Sequence, residues 1–280
     1  MSAGVKILKA VNHLFPLPVH PFNMQLDGKK SYAMWQYEKG DVTIQNYLRY
    51  TNMDEMFRDK VVLDIGCGAG GKSLYYASHG AKKVVGLEIL EKYKDEAYAL
   101  AKELNIDNFE FVAADAANTP FEDNSFDCII MNDAMEHVAR PEAVLNEMYR
   151  ILSPGGKLYV NFPPYNHPFG AHLSDAIAIP WVHVFFSDKT LIEGYKDLVK
   201  DVPDGAERVK FRISKDENGK EYFSYINKMT IKRFTNIKNN VKLKIVHYEE
   251  IPLRSFFKPL CHGIGREYFV KMVVCIFEKE

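Results

Sequence analysis

Residues 61–73, VVLDIGCGAGGKS, are the stretch that decides the fold. The stretch opens with a run of apolar and β-branched residues, which is typical of a buried strand, and the glycines that follow predict a tight turn. Gly66, Gly68 and Gly71 stand at the G-x-G-x-x-G spacing of a dinucleotide-binding turn. That spacing alone is a weak indication of a ligand, so the type of ligand must come from the residues around it.

Short apolar runs and amphipathic stretches alternate on the carboxyl side of this turn. Alternation of this kind predicts βαβ units and a parallel sheet with helices on both faces, an α/β doubly wound fold. The predicted strands are Val61–Ile65, Lys83–Leu87, Phe109–Ala113, Phe126–Met131 and Lys157–Phe162, followed in the tail by Val241–Val246 and Val270–Phe277. The predicted helices between them are Lys72–Ser78, which Gly80 ends, Glu91–Leu104 and Pro141–Leu152.

Length and composition set the broad class of protein. The chain has 280 residues, 47% hydrophobic and 26% charged, as expected of a soluble globular protein with a sizeable core. Its formal net charge of -1 offers no basic surplus for nucleic acid or an anionic membrane. No signal peptide is evident, and no uninterrupted apolar run reaches the ~18 residues of a membrane span.

The four cysteines indicate a reducing compartment. Cys67, Cys128, Cys261 and Cys275 are scattered and form no C-x-x-C pair. This pattern argues against a zinc site and against a disulfide framework. We therefore expect a cytoplasmic protein without a metal.

Three acids close three successive predicted strands. Asp64, Glu88 and Asp115 should meet at the carboxyl edge of the sheet, where ligands of such folds bind. The Asp64 carboxylate would repel a diphosphate held in the glycine turn, whereas a cationic ligand reverses the sign of that interaction. S-adenosyl-L-methionine (SAM) has an ammonium and a sulfonium and no phosphate, so the acids favour SAM over a dinucleotide.

Five segments of the chain resemble the class I SAM-dependent methyltransferases, in their small-molecule branch. The segments are VLDIGCGAGG, VVGLE, AADAANTPFEDNSFDCII, MNDAMEHV and LSPGGKLYV, which lie between about residues 60 and 163. The resemblance implies a Rossmann-like sheet of seven mostly parallel strands, with an antiparallel last strand at Val270–Phe277 and an insertion after the fifth strand. It also implies methyl transfer from SAM to a small-molecule acceptor by in-line displacement.

The resemblance implies which residues surround the cofactor. The glycine turn would hold the methionine part, the acid that ends the second strand would bind the ribose, and residues after the third strand would flank the adenine. The residues expected at the cofactor are Asp64, Gly66, Cys67, Gly68, Gly70, Glu88, Ile89, Asp115, Ala116 and Asn132. Tyr37 is added as an aromatic residue of the N-terminal segment that packs over the cofactor, with ordinary core packing as the equal alternative.

The acceptor side of the site is less well defined. A hydroxyl, phenol or acidic carbon would need a general base near the methyl group, and the candidates are Asp133, His137, His167 and His172. For any one histidine, a hydrogen bond to the backbone is the simpler interpretation. His167 and His172 belong with His183 to an aromatic segment after Phe162, whose spacing matches no metal signature.

We expect three parts in the chain. Residues 1–59 form an N-terminal lead-in with a helix near 42–53, residues 60–280 form the methyltransferase domain, and residues 164–225 form a substrate-binding insertion. The acceptor is a small molecule of aromatic, lipidic or sugar-derived character, and the oligomeric state stays open.

Three alternative functions remain. An RNA methyltransferase would use residues 205–244, which hold eleven Lys and Arg against four Asp and Glu. Nucleic acid is disfavoured, because Pro163-Pro164-Tyr165 follows the fifth strand and not the fourth, where base-methylating DNA enzymes carry such a motif. An NAD-dependent oxidoreductase must explain Asp64 and lacks a recognisable second domain. A non-catalytic SAM-binding protein would keep the cofactor site without an acceptor pocket.

Overall fold

A computed structural model describes residues 2–18, 20, 23, 30–263 and 265–280. Its centre is one seven-stranded sheet. The strands are β1 (Val61–Ile65), β2 (Lys83–Glu88), β3 (Phe109–Ala113), β4 (Phe126–Asn132), β5 (Leu152–Phe162), β8 (Lys244–Pro252) and β9 (Val270–Glu278), while β6 (Ile213–Lys215) and β7 (Glu221–Phe223) pair separately. The helices are α1 (Ala3–Asn12), α2 (Tyr32–Glu38), α3 (Gly40–Ile44), α4 (Met53–Phe57), α5 (Gly71–Ala77), α6 (Lys94–Glu103), α7 (Pro141–Ile151), α8 (Val182–Phe185), α9 (Asp188–Val199), α10 (Gly205–Arg212) and α11 (Ile231–Lys238).

The order of strands in the large sheet is β3-β2-β1-β4-β5-β9-β8. Strands β1 to β5 run parallel to their neighbours, and β9 runs antiparallel to both β5 and β8. The predicted α/β doubly wound fold, with Val270–Phe277 as the antiparallel strand, is confirmed. The chain order reverses between β1 and β4, and the crevice at the carboxyl ends of those strands is where such sheets bind ligands.

Both faces of the sheet are covered by apolar cores. Successive side chains of a strand point to opposite faces, so Val62 packs in one core and Leu63 in the other. The Val62 face is covered by α2 to α6, and the Leu63 face by α7 and α11. Burial on both faces explains why the strands are continuous apolar runs in the sequence.

A third core lies in the insertion between β5 and β8. It is built from apolar residues of the insertion together with Leu8 of α1. Asp175 lies at its centre, fully buried, with ion pairs of 3.2 Å to Arg208 and 3.0 Å to Arg212. Helix α1 of the lead-in therefore packs with the insertion, while α2 to α4 pack on the sheet.

The structure corrects two predicted elements. The single helix near residues 42–53 is wrong: α3 ends at Ile44 and α4 begins at Met53. Asn52 accepts a hydrogen bond from the Glu55 backbone N–H and so caps the start of a new helix. The strand predicted at Val241–Val246 begins later, at Lys244, and continues to Pro252.

No helix within the described ranges is long and apolar enough to span a membrane.

Replacing Asp175 by Ala should destabilise the protein strongly. The change removes a buried counter-charge from two guanidinium groups, a loss that costs about 3–5 kcal/mol. Urea denaturation measures the free energy of unfolding of each variant. Asp188→Ala removes an exposed ion pair to Lys228 and is the matched control, with an expected cost below about 1 kcal/mol. Equal effects of the two variants would contradict the buried role of Asp175.

Candidate active site

The glycine turn connects β1 to α5 at the carboxyl edge of the sheet. Gly66, Gly68 and Gly70 have φ angles of 71°, 56° and 78°, in the left-handed region that favours glycine. The Gly66 N–H donates to the Leu87 carbonyl at 2.8 Å, which fixes the turn against β2. The glycines are therefore required by the path of the backbone, whichever ligand binds.

Two N–H donors of the turn already have side-chain acceptors. Gly68 N–H donates to Glu88 Oε2 at 3.0 Å, and Gly71 N–H donates to Gln36 Oε1 at 3.3 Å. In a phosphate-binding turn, such N–H groups at the start of a helix point at the anion. Here the turn has a carboxylate beside it, which disfavours a diphosphate and suits a ligand with hydroxyl or cationic groups.

Helix α2 lies directly on the start of α5. A Cβ at Gly71 would come within 1.9 Å of the Ala33 carbonyl oxygen, so only glycine permits this approach. The same contact places Gln36 over the turn, where its Nε2 donates to the Cys67 carbonyl at 3.2 Å. The third glycine of the G-x-G-x-x-G spacing thus serves helix packing, and the N-terminal lead-in forms one wall of the site.

Asp64 lies beneath the turn, with its side chain on the α5 face of the sheet. Its carboxylate is 2% exposed and accepts a hydrogen bond of 2.6 Å from the Ser73 hydroxyl. Burial raises the pKa of Asp64 from its ordinary 3.8 to about 6, against the opposing effect of the Ser73 hydrogen bond. The sequence predicted the position of Asp64 but not its partner Ser73.

The other expected cofactor residues lie around the ends of β2 and β3. Glu88 is half-buried, and its second oxygen accepts from the Leu90 N–H at 3.1 Å. Asp115 is exposed: it accepts from Ala117 N–H at 2.9 Å and from Arg140 Nη2 at 3.0 Å. Ala116 is half-buried beside it, and Ile89 is 69% exposed. The three acids end successive strands, as predicted, while Asp64 is buried and Asp115 faces solvent.

The Tyr37 side chain follows the core-packing alternative. Its ring packs edge-on against Tyr75, and its hydroxyl donates to Ser78 Oγ at 3.3 Å, beyond the last residue of α5. The glycine turn is at the opposite end of that helix, where the Tyr37 backbone lies close to Gly71. Tyr32 lies beside the turn, since a Cβ at Gly68 would be 3.4 Å from its ring.

Asn132 anchors a buried network at the end of β4. Its Oδ1 accepts from the Tyr47 hydroxyl at 2.6 Å and from Asn161 Nδ2 at 2.8 Å, and its Nδ2 donates to the Tyr76 hydroxyl at 3.2 Å. The side chain faces α5 together with the residues of that core. The Asn132 side chain therefore stabilises the fold, and a contact of Asn132 with the cofactor stays a prediction.

The segment after β4 turns sharply at Asp133. Asp133 has a φ of 50°, and its N–H donates to the Asn161 carbonyl at 3.1 Å. The next residue, Ala134, lies against the turn, since a Cβ at Gly66 would be 3.1 Å from its methyl group. The exposed Asp133 side chain is thus held between the glycine turn and the residues that follow.

Glu136, His137 and His172 form a cluster next to Asp133. The two imidazole rings are 4.9 Å apart and nearly perpendicular. Glu136 Oε1 lies 3.9 Å from His137 Nε2 and 3.8 Å from His172 Nε2. The sequence predicted both histidines but missed Glu136, although an acid directly beside His137, between apolar residues, was a usable signal.

Tyr225 of the insertion holds both histidines. Its carbonyl accepts from His137 Nδ1 at 2.7 Å, and its hydroxyl donates to the His172 carbonyl at 2.6 Å. Asn227 then donates to the carbonyls of Met135 and Val138 at 2.8 and 2.7 Å. The insertion therefore shapes the segment after β4 through backbone contacts.

His167 is in the same segment as His172 but outside the cluster. Its Nδ1 accepts from the Phe169 N–H at 3.2 Å, and burial lowers its pKa to about 4. His183 packs against Tyr165, with ring centroids 4.7 Å apart, and burial likewise lowers its pKa to about 4. Of the predicted candidates for a general base, the structure brings together His137, His172 and Asp133.

The strand order, the glycine turn and the acids at the strand ends define a nucleoside-binding fold of the Rossmann-like type, adapted to a ligand without a diphosphate. Residues 63–160 match the family model described as a methyltransferase domain. Over residues 63–160 the chain therefore resembles a methyltransferase domain in both sequence and fold.

Curated relatives share this region. The chain is 38% identical over 102 residues to 24-methylenesterol C-methyltransferase 2 of Arabidopsis thaliana, which is 36% of this chain and 28% of that protein. It is 31% identical over 121 residues to the chloroplastic tocopherol O-methyltransferase of the same plant, 42% of this chain and 35% of that protein. The match thus spans about a third of the length of these relatives.

Solved structures share the fold over most of the chain. A SAM-dependent methyltransferase from Methanosarcina mazei has a TM-score of 0.51 at 22% identity and covers 81% of this chain and 95% of its own. The PH0226 protein of Pyrococcus horikoshii OT3 has a TM-score of 0.53 at 21% identity, covering 87% and 91%. At these identities the likeness concerns the fold.

Replacing Gly71 by Ala should detach α2 from the glycine turn. The new methyl group would overlap the Ala33 carbonyl, and overpacking of this kind costs about 1–3 kcal/mol. Urea unfolding and protease cleavage between residues 30 and 40 would measure the effect. Gly4→Ala, whose Cβ would lie 3.2 Å from Thr190, is the control. It should change neither the free energy of unfolding nor the protease cleavage. An unchanged cleavage pattern in Gly71→Ala would contradict the packing described.

Replacing Asp64 by Asn should stabilise the protein at neutral pH. Because its pKa is raised to about 6, folded Asp64 binds a proton more tightly than unfolded Asp64, so wild-type stability falls as the pH rises from about 4 to about 6. Asn keeps the acceptor for Ser73 and carries no charge. The expected gain in unfolding free energy is about 1–3 kcal/mol at pH 7.5 and smaller at pH 5. A gain that does not change with pH would count against the buried charge.

Proposed function

We propose that this protein is an enzyme that transfers the methyl group of SAM to a small-molecule acceptor by in-line displacement. The observation that carries the proposal is the pairing of the glycine turn with carboxylate and amide side chains, above all Glu88 on the Gly68 N–H. This turn accepts close approach of a ligand, yet it places negative charge where a dinucleotide would need donors.

The residues around the turn fit SAM. Gly66, Gly68 and Gly70 add no side chains of their own to the turn, while Gln36 and Tyr32 lie beside Gly68. Glu88 can accept hydrogen bonds from ribose hydroxyls at the end of β2. When bound, SAM supplies the electrophilic methyl group. The protein therefore has to orient SAM and the acceptor and to exclude water from the site.

The acceptor would lie between the segment after β4 and the insertion. The cluster of Glu136, His137 and His172 is on that side, and Asp133 adds an exposed carboxylate. A neutral imidazole is a suitable base for a hydroxyl proton near neutral pH. Burial lowers the pKa of His137 and of His172. We propose that residues 164–225 form the substrate wall.

A lipophilic acceptor is the substrate class that we favour. Aromatic side chains of the insertion lie beside its histidines and the cluster: Tyr225 packs next to His137 and His172, Tyr165 next to His183 and Phe169 next to His167. Two of the relatives above are named for a methylenesterol and for tocopherol, the first as a C-methyltransferase and the second as an O-methyltransferase. The polar cluster and the aromatic side chains of the insertion together fit a lipophilic acceptor.

RNA is not the acceptor in this proposal. Several basic residues of the 205–244 stretch are engaged within the fold: Arg208 and Arg212 pair with Asp175, Lys228 with Asp188 and Lys244 with Glu280. Four of the eleven basic residues of the stretch are therefore held in ion pairs within the fold. For location we propose the cytoplasm or another reducing compartment, because all four cysteines are free and buried.

Calorimetric titration with SAM, S-adenosylhomocysteine and NAD tests the cofactor. We expect binding of the two sulfur nucleotides and a Kd that is about tenfold higher or more in Glu88→Ala, because the ribose loses its charged acceptor. Glu110→Ala, an exposed acid on β3 paired with Lys83, is the matched control. Binding of NAD alone would refute the proposal. Transfer of labelled methyl groups to a panel of phenols, sterols and amines then identifies the acceptor class.

A further inference from the structure

The cluster of Glu136, His137 and His172 has the composition of a metal site. One oxygen and two imidazole nitrogens lie within 4.8 Å of one another. Two histidines and one carboxylate with open positions are a recurring ligand set for divalent first-row cations such as Zn²⁺. Donor atoms about 2.1 Å from a tetrahedral ion are about 3.4 Å apart, whereas Glu136 Oε1 lies 3.8 and 3.9 Å from the two histidine nitrogens and all three donors lie within 4.8 Å of one another, so the three side chains would close around the ion.

The Glu136 carboxylate needs a partner. It is 3% exposed, and neither of its oxygens accepts a hydrogen bond from the described residues. A buried carboxylate without a partner is costly, and a cation or a proton is the way to offset the cost.

His137 presents a lone pair to the cluster. A carbonyl oxygen only accepts, so the contact of Nδ1 with the Tyr225 carbonyl at 2.7 Å requires the proton on Nδ1. In a neutral ring the lone pair is then on Nε2, the atom that faces Glu136. Metal-binding histidines commonly donate their other N–H to a carbonyl in this way.

His172 is held in an unfavourable backbone conformation. Its φ of 51° is in the left-handed region, which is uncommon for a residue with a side chain. Hydrogen bonds from the Tyr225 hydroxyl and from Arg212 Nε to its carbonyl keep it there. Strained residues cluster at functional sites, where the surrounding structure holds a side chain in a required position.

We propose that Glu136, His137 and His172 bind a divalent first-row cation, and that the cation binds a hydroxyl oxygen of the methyl acceptor. The second part rests on the proposed methyl transfer. With the cation bound, His137 and His172 act as its ligands and not as bases, and the cation lowers the pKa of the hydroxyl, whose proton passes to solvent. The oxygen then bonds to the methyl carbon as the carbon–sulfur bond breaks, and the electron pair of that bond stays on sulfur.

This assignment differs from the sequence-based prediction that the protein binds no metal. Two of the ligands follow β4, and the third comes from the insertion, 35 residues after His137. No short motif records such a pairing, because the insertion must fold back over the sheet to create it. The contacts of Tyr225 with both histidines are what bring them together.

Metal binding is measured directly on the full chain after removal of metals with a chelator. We expect Co²⁺ to bind at one equivalent, with visible absorption bands of a site containing nitrogen ligands, and Zn²⁺ to displace it. Glu136→Gln and His172→Ala should each weaken binding about tenfold or more. His183→Ala, a half-buried histidine of the same insertion, is the matched control and should bind Co²⁺ normally. Circular dichroism verifies that each variant is folded.

The two proposals fail separately. A wild-type chain that binds SAM but no Co²⁺, or a Glu136→Gln chain that is folded and binds Co²⁺ as tightly as wild type, overturns the metal site alone. Stoichiometric Co²⁺ binding without SAM binding supports the site and overturns its role in methyl transfer. With both bound, transfer to hydroxyl acceptors should fall about tenfold or more on chelation and return with added metal.

Discussion

The close approach of α2 to Gly71 is the contact on which the site depends. The Ala33 carbonyl occupies the space of a side chain at the start of α5, and this contact brings Gln36 onto the glycine turn. The turn is then enclosed by Gln36 on one side and Glu88 on the other. Two N–H groups of this turn therefore donate to the side-chain oxygens of Gln36 and Glu88, and not to a phosphate. In the proposed function, the lead-in is thus part of the ligand site.

The insertion positions the side chains on the opposite side of the crevice. Tyr225 and Asn227 bind the backbone of the segment after β4 and so position Glu136 and His137, while Tyr225 also holds His172. The buried ion pairs of Asp175 stabilise the insertion from within. In the proposed function the cofactor lies at the glycine turn and the acceptor between the segment after β4 and the insertion, and the contact of Ala134 with Gly66 joins the two sides.

The sheet could be predicted because its strands are buried on both faces and end in glycines or acids, which are local signals. The strands at Val61–Ile65 and Phe109–Ala113 are confirmed to the residue. The helix near 42–53 could not be predicted correctly, since Asn52 restarts a helix that the composition would continue. Some side-chain positions are set by contacts between elements far apart in the chain, about which periodicity carries no information. These are the positions of Gln36, Tyr37, Ser73 and Glu136.

A crystal structure of the chain with S-adenosylhomocysteine, grown with Mn²⁺ and measured for anomalous scattering, tests the account most directly. We predict the ribose hydroxyls within hydrogen-bond distance of Glu88, α2 in place over Gly71, and one anomalous peak between Glu136, His137 and His172. A nucleoside bound away from the glycine turn, or Glu88 turned from the ligand toward solvent, would contradict the central claim that this turn is built for SAM.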